Sequence, residues 1–253
     1  MSEKVAIIVL SHNAWDISRK FLEHMRKNTD LDKIKLVWID NGSSDNTPNN
    51  LEEYSHDVVH KKIINNSNKG VIDGRNQGFD WFLNDDDAKD CGYLMFLDND
   101  QFVKDGWLEH HLSVLNSGYG LIGVEAWVML SNFLPVGKVE SLKKRFTYVG
   151  CGGSLMTREV PEKIGSYDPI FNPSYFEDPD YVFRAIRAGF KVGWNYNAKI
   201  DHLPHQTLGN MPDKQQRFLN SFSAFKKKWR GKKSPDLMQR TLPQFERDWK
   251  PNE

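Results

Sequence analysis

The chain has 253 residues, 39% hydrophobic and 27% charged, with 34 basic side chains balancing 34 acidic ones. That length suits one large domain or two halves sharing a continuous sheet, and the composition excludes a disordered or low-complexity protein. A formal net charge of zero makes no global demand for a polyanionic partner. Cys91 and Cys151, the two cysteines, lack the spacing of a structural zinc site and the density of a disulfide framework, which suits a reducing compartment.

Residues 5–10, Val-Ala-Ile-Ile-Val-Leu, form an unbroken apolar, β-branched run that predicts a strand buried on both faces, as in a parallel sheet. The run is far shorter than the roughly 20 residues of a membrane span and lacks a signal-peptide pattern. The chain therefore reads as cytoplasmic, with peripheral contact at the inner membrane face at most. Residues 16–27 place Ile17, Phe21, Leu22 and Met25 at helical spacing. Residues 35–39 predict a second buried strand that runs straight into Asp40-Asn-Gly-Ser-Ser-Asp45. Residues 47–54 read as a short helix with Thr47 as cap and Pro48 in its first turn. Residues 60–64 predict a third strand, 70–83 a helix despite two internal glycines, and 93–97 a fourth strand ending at Asp98-Asn-Asp100.

Strands and helices alternating at this spacing indicate βαβ units and a mainly parallel sheet, in which ligands bind beyond the carboxyl ends of the strands. Three of these four strands end in polar or acidic residues, at 11–13, 40–45 and 98–100. Beyond residue 100 the pattern is less regular. Residues 121–130 and 147–156 predict strands, the second broken by the close-approach stretch Gly150-Cys-Gly-Gly153; 179–188 and 213–229 read as helices. Residues 190–194 and 198–201 are extended, the latter ending at His202, and the proline-containing last twenty residues are expected to wrap over the surface.

Asp98 and Asp100, one residue apart at a strand end, can turn toward one hard cation such as Mn2+ or Mg2+, although a polar turn would use the same residues. Asp85-Asp-Asp87, equally acidic but following a helix, reads as a solvated loop. Glu177, Asp178 and Asp180 precede a helix, where capping explains one or two of them. The apolar lead-in of Tyr175 and Phe176 suits a carboxyl whose pKa is raised toward neutrality for proton transfer. His202, near His205, is a plausible third ligand once a D-x-D pair exists. Arg75 at a helix start can pair with phosphate or a base carbonyl. Neither GxxxxGK[ST] nor GxGxxG after the first strand is present, so a nucleotide site here would use acidic strand ends and metal.

Taken in order, these segments resemble glycosyltransferase family 2, the inverting, metal-dependent enzymes of GT-A fold. Val37-Trp-Ile-Asp-Asn-Gly-Ser-Ser-Asp45 is similar to V-x-x-D-[ND]-G-S-x-D. Asn68-Lys-Gly70 through Arg75-Asn76 is similar to N-x-G-x-x-x-A-R-N, with Gly74 in place of alanine. Leu97-Asp-Asn-Asp100 stands at the D-x-D position. Phe176-Glu-Asp-Pro-Asp180 with Arg184 and Gly189 is similar to Y-F-E-D-x-D…R…G, Pro179 replacing an aliphatic residue, and residues 198–202 match the closing A-x-x-x-H.

The resemblance implies an α/β fold with a Rossmann-like, mainly parallel central sheet flanked by helices, a small second antiparallel sheet and a C-terminal helical extension. It divides the chain into a catalytic domain, 1–205, with a nucleotide-sugar half, 1–100, and an acceptor half, 101–205, followed by a basic, aromatic extension, 206–253. It implies that Asp40 and Arg75 contact the nucleotide base and that Asp98 contacts the ribose or the metal. Asp100 would hold the metal, with His202, or else His205, as a further ligand. Ser11, Asn13, Asp45 and Gly70 would complete the donor site, and the Gly150–Gly153 stretch, with Gly152 and Gly153, would approach the transferred sugar or the acceptor. Asp178, or else Glu177, would be the general base in a single in-line displacement that moves a sugar from a nucleotide diphosphate-sugar, a UDP-sugar, to an acceptor hydroxyl. A catalytically inactive binding module and a sugar nucleotidyltransferase are the alternatives, the latter disfavoured because Ser11-His-Asn-Ala-Trp15 is unlike its glycine-rich loop.

Residues 214–233 carry eight Lys or Arg and no acidic residue, interleaved with Phe218, Phe222, Phe225 and Trp229. The pattern fits a helix docking its aromatic face on the domain, or contact with an anionic membrane or nucleic-acid surface. A glycan, lipid-linked saccharide, protein or nucleic-acid acceptor all stay open.

Overall fold

The computed structural model describes residues 4–140, 146–203 and 213–229. Its amino-terminal half is β1 (Lys4–Ser11), α1 (Trp15–Asn28), β2 (Ile34–Asp40), α2 (Thr47–Tyr54), β3 (Val59–Ile64), α3 (Val71–Asn84) and β4 (Cys91–Asp98). The remainder is β5 (Gln101–Val103), α4 (Trp107–Asn116), β6 (Leu121–Gly123), β7 (Ala126–Met129), β8 (Pro135–Lys138), β9 (Tyr148–Val149), β10 (Ser154–Thr157), α5 (Glu159–Ile164), α6 (Glu177–Arg187), β11 (Val192–Trp194), β12 (Ile200–His202) and α7 (Lys214–Trp229). A seven-stranded sheet runs β11-β6-β10-β4-β1-β2-β3. Its β4-β1-β2-β3 portion is parallel, while β10 runs antiparallel to both β4 and β6. Two small antiparallel sheets, β8-β7-β9 and β12-β5, flank the main one. This is the GT-A arrangement expected from the sequence.

The apolar run of β1 explains why the sheet is central. Successive side chains of a strand point to opposite faces, so Val5, Ile7 and Val9 join Phe21, Leu22 and Trp38 in one core, while Ala6 and Ile8 join Phe79 and Phe82 in the other. A strand between two helix layers is buried along its length, and β2 is buried at all seven positions, with Lys35 paired to Asp87 and Asp90. The glycines inside α3 bring it close to β1. A Cβ on Gly74 would lie 2.7 Å from Leu10 Cδ1, and one on Gly78 would strike Ile8.

Two predicted strands are each broken in two. Residues 121–130 divide into β6 and β7, and 147–156 into β9 and β10, with the members of each pair in different sheets. The second break falls at the Gly150-Cys-Gly-Gly153 stretch, while the first falls at Val124-Glu125, a single charged residue in an otherwise apolar run that periodicity reads as one strand. The backbone turns at glycines: a Cβ on Gly123 would sit 2.5 Å from Val149 Cβ, and Gly153 adopts φ +79°. The Asp85–Asp87 triplet is not a bare loop. It contains the short 3-10 helix Asp86–Ala88, and its carboxylates pair with Lys61, Lys89 and Lys35.

Helix α7, within the segment read as an extension, packs on α6 and its neighbours. Phe225 and Trp229 are buried, and Phe225 meets Phe133, Phe171, Phe176 and Phe183. Removing a fully buried phenylalanine ring costs about 3–5 kcal/mol. Phe225→Ala is accordingly expected to lower unfolding free energy by about that amount in a denaturant titration. A loss below about 1 kcal/mol would show that α7 adds little to the core. The last twenty residues and His205 lie outside the described residues. Among the described residues no helix is long and apolar enough to cross a membrane.

Candidate active site

The parallel register sets the acidic strand ends side by side. Ser11 pairs with Asp40 across β1–β2, and Leu10 with Asp98 across β1–β4. Beyond this edge opens a cleft of about 1000 Å³, bounded by the β1 and β4 ends, the start of α3, the Gly150–Gly152 turn, β12 and the start of α6.

On one wall, Asp98, Asp100 and His202 offer ligand atoms that all lie within 4.8 Å of one another. Asp98 and Asp100 come from the β4–β5 turn. His202 arrives because β12 pairs antiparallel with β5, setting His202 opposite Gln101. Asp100 Oδ1 is buried and accepts no hydrogen bond, although His202 Nε2 stands 3.4 Å away. A buried carboxylate oxygen without a donor is costly unless something cationic completes it. His202 Nδ1 lies 2.9 Å from Glu125 Oε1, which turns Nε2 toward Asp100. A carboxylate orienting a histidine in this way is the usual outer partner of a metal-bound imidazole. Burial opposes charge on His202, but the neighbouring Asp100 and Glu125 carboxylates prevail and lift the imidazole pKa to about 10. A cation binding there would displace that proton. Two carboxylates and an imidazole suit manganese or magnesium, so the residues fit a divalent ion.

Beside this trio, the buried Arg75 guanidinium of α3 pairs with Asp98 Oδ1. Burial disfavours its charge, yet the Asp98 carboxylate more than offsets this and holds the guanidinium above its ordinary pKa. Gly152 faces the other Asp98 oxygen, and a Cβ there would collide with it. Only glycine leaves this carboxylate its place.

The start of α6 also lines the cleft. Tyr175 and Phe176 both have left-handed backbone, φ 77° and 70°. Such conformations cost about 1–3 kcal/mol each for non-glycine residues and concentrate at functional sites. None of the acidic residues caps the helix through its side chain, because the cap position is Phe176 itself. Glu177 and Asp178 instead line the cleft, and Glu177 Oε2 and Asp178 Oδ1 are buried without hydrogen-bond partners. Burial pushes the Glu177 carboxyl up to about 8, its neighbour Asp178 adding to the rise and Arg75 opposing it. Asp178 is also raised, by burial above all, against the pull of Arg75 and a bond to Cys151. Cys151 receives the Tyr167 hydroxyl hydrogen bond at 2.7 Å, and burial keeps its thiol well above the ordinary pKa and protonated. Asp180 turns away from the cleft and is buried against Arg184, Lys228 and the Trp229 indole N–H.

The other residues expected at the donor site divide into two sets. Ser11, Gly70, Arg75, Asp98 and Gly152 border the cleft. Asp40, Asn13, Asp45 and Gly153 do not line it, and the first three hold the loops that follow β1 and β2. Asp40 is fully buried and accepts from the backbone and hydroxyl of Ser43. Asn13 Oδ1 accepts from the Ser44 and Asp45 amides, and Asp45 Oδ1 from that of Thr47. Ser11 Oγ also accepts from the Trp38 indole at 2.8 Å. Glu125, Trp127 and Lys138 were not foreseen as cleft residues; they come from the three-stranded sheet and its approach. Lys138 Nζ lies 2.5 Å from Glu125. No short-range spacing marks Glu125, since its partner His202 is 77 positions away.

Similarity to known proteins extends over the same region. The chain is 28% identical, over 108 residues, to EpsH of Bacillus subtilis (strain 168), which is provisionally named a glycosyltransferase; the match covers 43% of this chain and 29% of EpsH. Among solved structures, GalNAc-T7 with UDP, GalNAc and Mn2+ superposes with a TM-score of 0.63 at 17% identity, covering 75% of this chain and 42% of that one. The mannosyltransferase PcManGT of Pyrobaculum calidifontis, with GDP-Man and Mn2+, gives 0.64 at 13% identity, covering 94% and 68%. TarS 1-349 of S. aureus with UDP-GlcNAc gives 0.55 at 14% identity, covering 73% and 54%. The chain thus spans less than a third of EpsH and about half of GalNAc-T7 and of TarS 1-349. The sequence pattern named Glycosyl transferase family 2 matches residues 6–148, more than half of the chain, from β1 through the D-x-D turn and into the three-stranded sheet. By that match this chain belongs to glycosyl transferase family 2.

Proposed function

We propose that the chain is an inverting glycosyltransferase that moves a sugar from a nucleotide diphosphate-sugar, a UDP-sugar, to an acceptor hydroxyl. One observation carries this reading: the Asp98–Asp100–His202 ligand set and the buried Glu177–Asp178 pair open onto one cleft. Family membership supports it, as do the nucleotide and manganese complexes of the structurally similar enzymes, two of which hold a uridine nucleotide.

Asp98, Asp100 and His202 would hold a manganese or magnesium ion, which supplies positive charge to the departing diphosphate. Arg75 steadies Asp98 and adds a fixed cation to the same wall. Asp178 takes the proton of the acceptor hydroxyl as that oxygen attacks the anomeric carbon from the face opposite the diphosphate, with Glu177 as the alternative base. Its raised pKa makes it a stronger base than an exposed aspartate. Attack from the opposite face in one step inverts the anomeric centre. The protonated Cys151 is a poor nucleophile, consistent with no covalent sugar on the thiol.

A thermal-shift screen of nucleoside diphosphates and their sugars, with and without manganese, tests the donor half of this reading. A ligand at 100 times its dissociation constant stabilises by about 2.7 kcal/mol. Uridine nucleotides are expected to raise the melting temperature only when manganese is present. A shift confined to another base would change the donor, and none with any nucleotide would overturn the reading. Binding without release of nucleoside diphosphate in the presence of acceptors would make the chain a binding module.

A further inference from the structure

The unpaired oxygens of Glu177 and Asp178 pose a question of support. Glu177 Oε2 and Asp178 Oδ1 have no hydrogen-bond partner, so beyond the bond of Asp178 to Cys151 the aim of the pair depends on the left-handed Tyr175–Phe176 backbone that introduces α6. What grips that corner is α7. The Phe176 ring stacks on Phe222 at 5.5 Å and 27°, and its centroid lies 5.4 Å from Phe218 and 5.2 Å from Phe225. Tyr175 meets Phe218 edge-on at 5.8 Å. Ser221 Oγ donates to the Ser174 carbonyl at 2.8 Å, just before the corner. Just after it, the Trp229 indole donates to Asp180 at 2.9 Å and Lys228 Nζ lies 2.6 Å from the same oxygen. One helix therefore holds the chain on both sides of the carboxyl pair, with an aromatic stack between.

We propose that α7 is a positioning clamp for the carboxyl pair, with Phe222 and Ser221 as positioning residues that keep the strained corner in its left-handed state. This rests on the transferase reading above and assigns the aromatic spacing of residues 218–229 a role at the site. Strained conformations persist only where surrounding contacts over-determine them. Small errors in the placement of a general base are costly to rate and cheap to donor binding.

The test uses the full chain with Phe222→Ala, Phe222→Tyr and Ser221→Ala, the last removing one hydrogen bond in case loss of the ring impairs folding. Manganese and UDP-sugars serve as probes, with release of UDP as the readout. Phe222→Ala is expected to lower kcat about 10-fold or more while the donor KM stays within about twofold, and Phe222→Tyr, which keeps the ring, to restore most of the loss. Ser221→Ala is expected to shift kcat in the same direction by a smaller factor. Amide hydrogen exchange decides independently of turnover: residues 174–180 are expected to exchange about 10-fold faster in Phe222→Ala while β1 and β4 are unchanged. Wild-type kcat or wild-type exchange across 174–180 in folded Phe222→Ala overturns the clamp, as does a loss of kcat that Phe222→Tyr fails to restore. If the wild-type chain binds manganese and nucleotide but releases no UDP, the transferase reading fails, and the exchange arm still decides whether α7 holds the corner.

Discussion

Asp178→Asn is expected to lower turnover by about 10²-fold or more while donor affinity in manganese stays within about twofold. Asparagine keeps the shape of the side chain beside Gly150 and Cys151 but cannot take a proton from an acceptor hydroxyl. The substitution also removes a charge that burial disfavours and one neighbour that raises Glu177. Folding should therefore be unimpaired, and a drop in rate cannot be blamed on unfolding. Because burial raises both carboxyls, wild-type turnover is expected to climb with pH until the base ionises. That rising limb is the part of the pH–rate profile Asp178→Asn should remove. Steady-state kinetics with parallel calorimetric donor titrations would check both effects. Near-normal turnover in Asp178→Asn would reassign the base to Glu177, which faces the same cleft.

Asp100→Ala is expected to abolish manganese-dependent donor binding. Asp100 contributes one of the three ligand atoms grouped within 4.8 Å, and its Oδ1 has no hydrogen bond to lose. The deletion removes a desolvated charge but also one of the two carboxylates that keep His202 protonated, so the apo melting temperature of the variant is measured alongside. His202 would keep its Glu125 contact at 2.9 Å and lose only the partner at 3.4 Å. Donor titrations with and without manganese decide the outcome: an unchanged manganese-dependent affinity refutes the metal role of Asp100. Loss of affinity without metal would point to a direct contact with the donor.

Much of the fold was legible because it depends on local pattern. A strand covered on both faces is mostly apolar, and β1, β2 and β4 announce themselves as such runs. A parallel sheet then sets their carboxyl ends at one edge, which is why Ser11, Asp40 and Asp98 could be grouped before any coordinates. The strand breaks were legible only in part. The Gly150–Gly153 stretch marks the second break, whereas the first falls between Gly123 and Ala126 inside an otherwise apolar run, and the role of Gly123 depends on its neighbour Val149.

The sequence by itself determined the α/β class, the parallel half-sheet and the residue types able to bind a cation or move a proton. Short-range spacing encodes these, through strand and helix periodicity and the polar residues that end each strand. Only the tertiary structure decided which of those residues share a cleft. Pairing of β12 with β5 carries His202 to Asp100, the turn after β6 delivers Glu125 to His202, and burial of Asp40 beneath its loop takes that carboxylate out of the cleft. It also decided that Phe176 would be left-handed and gripped by α7, a contact between segments about forty residues apart. Contacts between residues distant in sequence arise from packing and closure of the whole chain, and no local period records them.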